Sequence, residues 1–170
     1  VAVNSTFTGN EAANGIIRLR IGSVPVNAWV VSCTFSGNTK YSLYNQSSDA
    51  FIYNSVMDDP SSYNANQATG SATIGDSFLY NTSYYLIGEG YLAGKAAVST
   101  IEDKTEVAGT VVGEFDNEDG VFAVSGDALK KGMSSEELSD LATGITASMP
   151  LFDAAKLTVD QNGNSRVGKT

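Results

Sequence analysis

Asn4-Ser5-Thr6-Phe7-Thr8-Gly9-Asn10 returns as Ser32-Cys33-Thr34-Phe35-Ser36-Gly37-Asn38. Two further copies follow: Asn54-Ser55-Val56-Met57-Asp58-Asp59, with Met57 in the phenylalanine slot, and Gly75-Asp76-Ser77-Phe78-Leu79-Tyr80-Asn81. The steps from Phe7 to Phe35, Met57 and Phe78 are 28, 22 and 21 residues. A strand phrase returning at such an interval is the mark of stacked repeats, one phrase to each coil, so a β-solenoid is expected. Within the phrase, Val3, Ser5 and Phe7 alternate with Asn4 and Thr6, and Val31, Cys33 and Phe35 alternate in the same way. That period of two predicts short, half-buried strands with an inward set of aliphatic, small and aromatic residues. Phe7, Phe35, Met57 and Phe78 are the expected core stack.

A Gly-Asn pair closes each of the first two phrases, at Gly9-Asn10 and Gly37-Asn38. Glycine tolerates positive φ and asparagine bonds readily to neighbouring backbone, so the chain is expected to turn there. Asn10, Asn38 and Asn81 each follow the slot phenylalanine by three residues and are the expected rungs of an amide ladder. The remaining faces come from Gly15-Ile16-Ile17-Arg18-Leu19-Arg20-Ile21, Tyr41-Ser42-Leu43-Tyr44-Asn45 and Tyr84-Tyr85-Leu86-Ile87. The longer first step leaves room for a loop near Gly22-Ser23-Val24-Pro25. Residues 1–93 are therefore read as about four coils of an all-β solenoid.

Beyond residue 93 the phrase disappears, and 94–170 is expected to be a C-terminal capping segment continuous with the solenoid. Thr110-Val111-Val112-Gly113 and Gly120-Val121-Phe122-Ala123-Val124 predict two short strands around the acidic turn Asp116-Asn117-Glu118-Asp119. One helix is predicted from Ser134 to Ala142. Ser134 stands as N-cap with Glu137 three residues on, and Leu138 and Leu141 form an apolar edge. Gly144 is expected to stop it. A terminal coil needs such cover, because unpaired strand edges recruit other strands.

Ten Lys and Arg against nineteen Asp and Glu give a net charge of −9. That sign repels phosphate, so nucleic acid and anionic lipid are not expected partners. No apolar run has the length of a bilayer span, so no transmembrane segment is expected. Cys33 is the only cysteine, which excludes an internal disulfide. With no histidine in the chain to activate it, Cys33 reads as a small core residue. The chain opens on Val1 inside a repeat, and it is expected to belong to a longer protein with coils upstream.

The candidates for chemistry are few. Arg18 and Arg20 stand two residues apart on one strand face, where they could grip an acidic sugar or simply be solvated. Asp58-Asp59, Asp116-Asn117-Glu118-Asp119 and Asp160-Gln161-Asn162-Gly163-Asn164 carry oxygen donors. None has the ligand spacing of a Ca²⁺ loop closed by an acidic residue, and no cofactor or metal is expected. Asp76 falls in the slot of Ser5, Cys33 and Ser55 and is expected to bulge outward. Tyr41, Tyr44, Tyr84 and Tyr85 follow corresponding turns. On a flank where strands lie about 4.8 Å apart, their rings would form a strip suited to sugars or a protein partner.

The Phe-x-x-Asn mark carried by Phe7–Asn10, Phe35–Asn38 and Phe78–Asn81 resembles the polymorphic outer-membrane-protein repeats of bacteria. The stretch from Gly120 to Gly132 looks like a C-terminal segment of choice-of-anchor β-helix proteins. Asp160-Gln161-Asn162-Gly163-Asn164-Ser165-Arg166 resembles their terminal Asp-x-x-Gly-x-x-Arg phrase, in which Asp160 and Arg166 would pair. These resemblances imply a right-handed parallel β-helix of pectin-lyase-like fold, exported to the extracellular or outer-membrane surface of a bacterium. The expected role is a structural or adhesive module, with polysaccharide or host glycan as ligand at Tyr41, Tyr44, Tyr84, Tyr85, Arg18 and Arg20. The alternative is a fragment of a polysaccharide lyase or glycoside hydrolase.

Overall fold

The computed structural model describes residues 1–12, 15–19, 28–39, 41–45, 50–58, 63–65, 72–75, 78–80, 100–101, 105–107, 112–124 and 133–165. Thirteen of their fifteen strands lie in parallel sheets, and among these residues there are one α-helix and no barrel. Sheet 1 joins β1 (Ala2–Val3), β4 (Ala28–Val31), β7 (Ala50–Tyr53), β10 (Ala72–Gly75) and β12 (Thr100–Ile101). Sheet 2 joins β2 (Thr6–Thr8), β5 (Thr34–Ser36), β8 (Val56–Asp58), β11 (Phe78–Tyr80) and β13 (Thr105–Val107). Sheet 3 joins β3 (Gly15–Leu19), β6 (Tyr41–Asn45) and β9 (Tyr63–Ala65). Up to β10 and β11, a strand and its neighbour in the same sheet are three places apart in chain order. The ladders run past residue 93, where the repeated phrase is no longer visible, through β12 and β13.

The alternation of Val3, Ser5 and Phe7 reads as a single run, but the chain breaks it between β1, which ends at Val3, and β2, which begins at Thr6. Asn4, Ser32 and Asn54 take φ of 48, 53 and 50°, the left-handed region, and each bends the chain from sheet 1 into sheet 2. Asparagine tolerates that conformation better than most residues. The residue after each bend turns a small polar side chain back on the carbonyl two residues before it. Ser5 Oγ donates to Val3 O at 2.8 Å, Cys33 Sγ to Val31 O at 3.4 Å and Ser55 Oγ to Tyr53 O at 2.8 Å. Pairing between neighbouring repeats continues through the bend. Asn4 N–H donates to Val31 O, Ser32 N–H to Tyr53 O, Thr34 N–H to Ser5 O and Val56 N–H to Cys33 O, all within 3.1 Å.

The core is built in columns because parallel register places equivalent residues over one another. Phe7 pairs with Phe35 and Phe35 with Met57. The two rings stack with centroids 4.6 Å apart and planes 7° apart, and Phe35 and Met57 are fully buried. Across from Met57 lies Leu79, while Phe78 pairs with Val56. The fourth phrase therefore sits one residue out of the expected alignment, and Leu79 takes the position foreseen for Phe78. Such a shift exchanges the two faces of a strand. Val30 and Ile52 from sheet 1 and Leu43 from sheet 3 are buried as well.

The C-terminal part begins with an antiparallel hairpin, β14 (Val112–Asp116) and β15 (Val121–Val124), turned at Gly120 with φ 68°. Helix α1 spans Ser135–Ser148, and a 3-10 helix spans Ala154–Leu157. The capping box forms as expected: Glu137 N–H donates to Ser134 Oγ at 3.3 Å, and Ser134 N–H to Glu137 Oε2 at 2.6 Å. The helix does not stop at Gly144. That residue sits on an exposed turn with nothing within 4 Å of where a Cβ would stand, so the cost is only its backbone freedom. The helix ends at Met149, whose successor Pro150 disfavours helical geometry in the residue before it. Leu138, Ala142 and Ile145 form its buried stripe. Ala142, Ile145 and Leu157 pack on Trp29 and Val31 of sheet 1, with Val3, Phe51, Tyr53, Leu141, Met149 and Phe152 around them. The far side of sheet 1 is thus also a core face.

Two outcomes follow from this packing. Phe35→Ala removes a fully buried ring between two column neighbours and should cost about 3–5 kcal/mol in a denaturant titration. The Glu137 carboxylate is held below its ordinary range by its hydrogen bonds to the Ser134 side chain and then backbone. A depressed carboxylate contributes stability above its unfolded pKa of about 4.3 and loses it as pH falls through the lower folded value. Melts of the Glu137→Gln variant should therefore show a flatter acid-side decline than those of the unmodified chain.

Candidate functional site

The expected ligand residues whose backbone the structure describes, Arg18, Tyr41 and Tyr44, lie in strands β3 and β6 of sheet 3. Arg18 lies in β3 and is exposed. Its register neighbour in β6 is Tyr44, whose neighbour in β9 is Asn64. Tyr41 pairs with Gly15. Arg18, Tyr44 and Asn64 therefore occupy one column of register positions: a cation, a phenol and an amide on successive strands. Arg20, Asn81, Tyr84 and Tyr85 lie outside the described residues, as do Asp59, Asp76 and Arg166.

Register decides what an aromatic column can bind. Where two rings share a register position, they stack on each other. Phe7 and Phe35 do so in the core, and Trp29 and Phe51 do so on sheet 1, at 4.2 Å and 17°. Tyr53 lies beside them, 6.3 Å from the Trp29 centroid. Rings stacked along the ladder axis spend their faces on one another and leave edges outward, whereas a sugar packs on a ring face. A run of tyrosines repeating at strand spacing is thus a poorer sugar platform than a single ring between non-aromatic neighbours. Tyr44, between Arg18 and Asn64 in register, is the second kind.

Asn10 and Asn38 are bonded at the second turn. Asn38 Oδ1 accepts from Asn10 Nδ2 at 2.8 Å and from Asn10 N–H at 3.0 Å, and Asn38 Nδ2 donates to Phe7 O at 3.0 Å. Asn38 is 3% exposed, so these bonds satisfy a buried amide. The preceding glycines, Gly9 and Gly37, have φ of 63 and 73°. These are fastenings, and they leave no free donor array for a ligand.

The acidic loops are occupied by their own backbone. Asp116 Oδ1 accepts the N–H groups of Glu118 and Asp119 at 2.8 and 3.2 Å. Asp160 Oδ1 accepts those of Asn162 and Asn164 at 2.9 and 2.8 Å, and Asn164 Nδ2 donates to Asp160 Oδ2 at 3.1 Å. Each carboxylate closes a turn. Among the described residues no three His, Cys, Asp or Glu converge as metal ligands. Cys33 is 1% exposed and its N–H donates to Ser55 Oγ at 3.2 Å, which places it among the small residues of the bend.

The residue that the repeated phrase did not reveal is Trp29. It is 8% exposed, and its Nε1–H is buried without a hydrogen-bond partner. A signal for its burial existed. Ala28-Trp29-Val30-Val31 and Ala50-Phe51-Ile52-Tyr53 lack alternating polar residues, as strands covered on both faces do. Comparison with protein-family models, curated proteins and solved structures finds no match for the chain.

Proposed function

We propose that this chain is a right-handed parallel β-helix and serves as a structural and adhesive module of an exported bacterial surface protein, with glycan as its ligand. The observation that carries the reading is the pairing, as far as β10 and β11, of strands three places apart in chain order, in three sheets at once. A chain that winds through three sheets and returns one strand spacing further on builds a solenoid, and right-handed crossovers are the strong preference between parallel strands. Such a body gives an extended, repetitive surface with few charges. The composition supports that picture, since charged residues make up only 17% of the chain.

Of the outer faces, that of sheet 1 is covered by α1 and the 3-10 helix. Sheet 3 offers Arg18 and Tyr44 in register, the pairing of charged donor and aromatic ring that acidic or neutral sugars use. Binding there would be weak per site and would gain from display of many copies on a surface. Full-chain protein on a glycan array should retain a subset of polysaccharides. Arg18→Ala and Tyr44→Ala should each reduce that binding, while Thr143→Ala on the exposed side of α1 should not. No retention of any glycan would reduce the module to a stalk. Release of unsaturated sugar products, lost on Arg18→Ala, would replace adhesion with lyase chemistry.

A further inference from the structure

Among the described residues, β1, β2 and β3 are each the outermost strand of their sheet, so the first repeat presents an edge of all three. In the second repeat, Val31, Cys33, Phe35 and Asn38 are buried. Their counterparts in the first, Val3, Ser5 and Phe7, are only half-buried, and Asn10 is exposed. The sequence does nothing to discourage pairing there. Sheet edges are ordinarily blunted by charge, proline or a bulge. Residues 1–10 hold no charged side chain and no proline, and β1 and β2 meet β4 and β5 without a register shift. Asn10 shows what a further strand would meet. Asn38 Oδ1 accepts from Asn10 Nδ2 at 2.8 Å and from the Asn10 N–H at 3.0 Å. One repeat earlier, the Asn10 amide only donates, to Asn38 Oδ1 and to Thr8 O, and its Oδ1 accepts nothing among the described residues. Phe7 is used on one side in the same way. One ring face lies on Phe35, with the planes 7° apart, and the other is turned along the ladder toward the edge.

We infer that this edge receives a parallel polypeptide segment carrying the chain's own phrase, with its asparagine amide on Asn10 Oδ1 and its aromatic ring on the open face of Phe7. The contact already exists once in the molecule, between β2 and β5, and the new one continues it by a further strand spacing. Main-chain hydrogen bonds along β1 and β2 supply the affinity, and the asparagine and phenylalanine positions supply the selectivity, as in strand addition to other sheet edges. Asn10 sets the direction. It follows β2, so only a parallel segment brings its own asparagine to that end of the strand. Two whole copies joined edge to edge across a two-fold axis would run antiparallel and leave Asn10 Oδ1 unmet.

The test adds to the full chain a synthetic peptide with the sequence of Val30–Thr39, labelled at its N-terminus. Fluorescence anisotropy reads its binding, and amide exchange by mass spectrometry locates it. Binding should saturate, and exchange should slow in residues 1–10 but not in β14 or β15. The peptide carrying Asn38→Ala should bind about tenfold more weakly, as expected for one hydrogen bond to a group that pairing buries. The peptide carrying Phe35→Ala should also bind more weakly, and a scrambled peptide of the same composition should not bind. Every substitution is in the peptide, so the folding of the chain is not at stake. No binding at about 1 mM peptide, equal binding of the scrambled sequence, or protection outside residues 1–10 would overturn the proposal. Dimers of the chain alone that protect residues 1–10 would give the edge to a second copy and overturn it as well.

Discussion

The left-handed bend at Asn4, Ser32 and Asn54 is the constraint on which the rest depends. It hands the chain from sheet 1 to sheet 2 at each repeat and sets which way the side chains of each strand face. Val30 and Ile52 precede the bend, and Phe35 and Met57 follow it, and all four are buried. A straight strand through the same residues would carry its alternation unbroken into one sheet and leave the second sheet unformed. Holding three non-glycine residues at positive φ costs energy at each. The cost is offset by what the bend brings together: a small inward side chain bonded to the carbonyl two residues back, and ladder bonds on either side. The outward side chains of the same bends, Asn4 and Asn54, then receive the C-terminal segment.

Stacking in register has a second consequence. A residue is judged against its equivalents above and below it as much as against its sequence neighbours. The Phe7–Phe35 pair, the Trp29–Phe51 pair and the Asn10–Asn38 pair are each a repeated residue or residue class meeting itself. Like groups that satisfy one another are withdrawn from recognition. Columns of unlike residues are not satisfied in this way, and the register positions of Arg18, Tyr44 and Asn64 form one.

Much of this was legible in the sequence because it is local or periodic. The steps of the phrase, the phenylalanine slot, the Gly-Asn turns and the Ser134–Glu137 capping box are all patterns of short range. What escaped has physical reasons. The bend hides inside an unbroken alternation: Val3, Ser5 and Phe7 read as one inward set, yet Val3, in register with Val31, packs with α1 on the far side of sheet 1. The fourth phrase offered Phe78 as the obvious match to Phe35, but register follows the whole repeat and selects Leu79. Gly144 looked like a stop, yet Thr146 continues the helix with its hydroxyl on Ala142 O, and the apolar stripe reaches Ile145. The docking of α1 on Trp29 joins residues more than a hundred positions apart, which no local window contains.

The central claim is that successive repeats pair in parallel through the bends in one fixed register. Scalar couplings across hydrogen bonds, read by NMR on uniformly labelled protein, test it bond by bond. The account predicts couplings from the Asn4 nitrogen to the Val31 carbonyl carbon, from Ser32 to Tyr53, from Thr34 to Ser5 and from Val56 to Cys33. Couplings displaced by one residue, or pairs of antiparallel pattern among these strands, would contradict it.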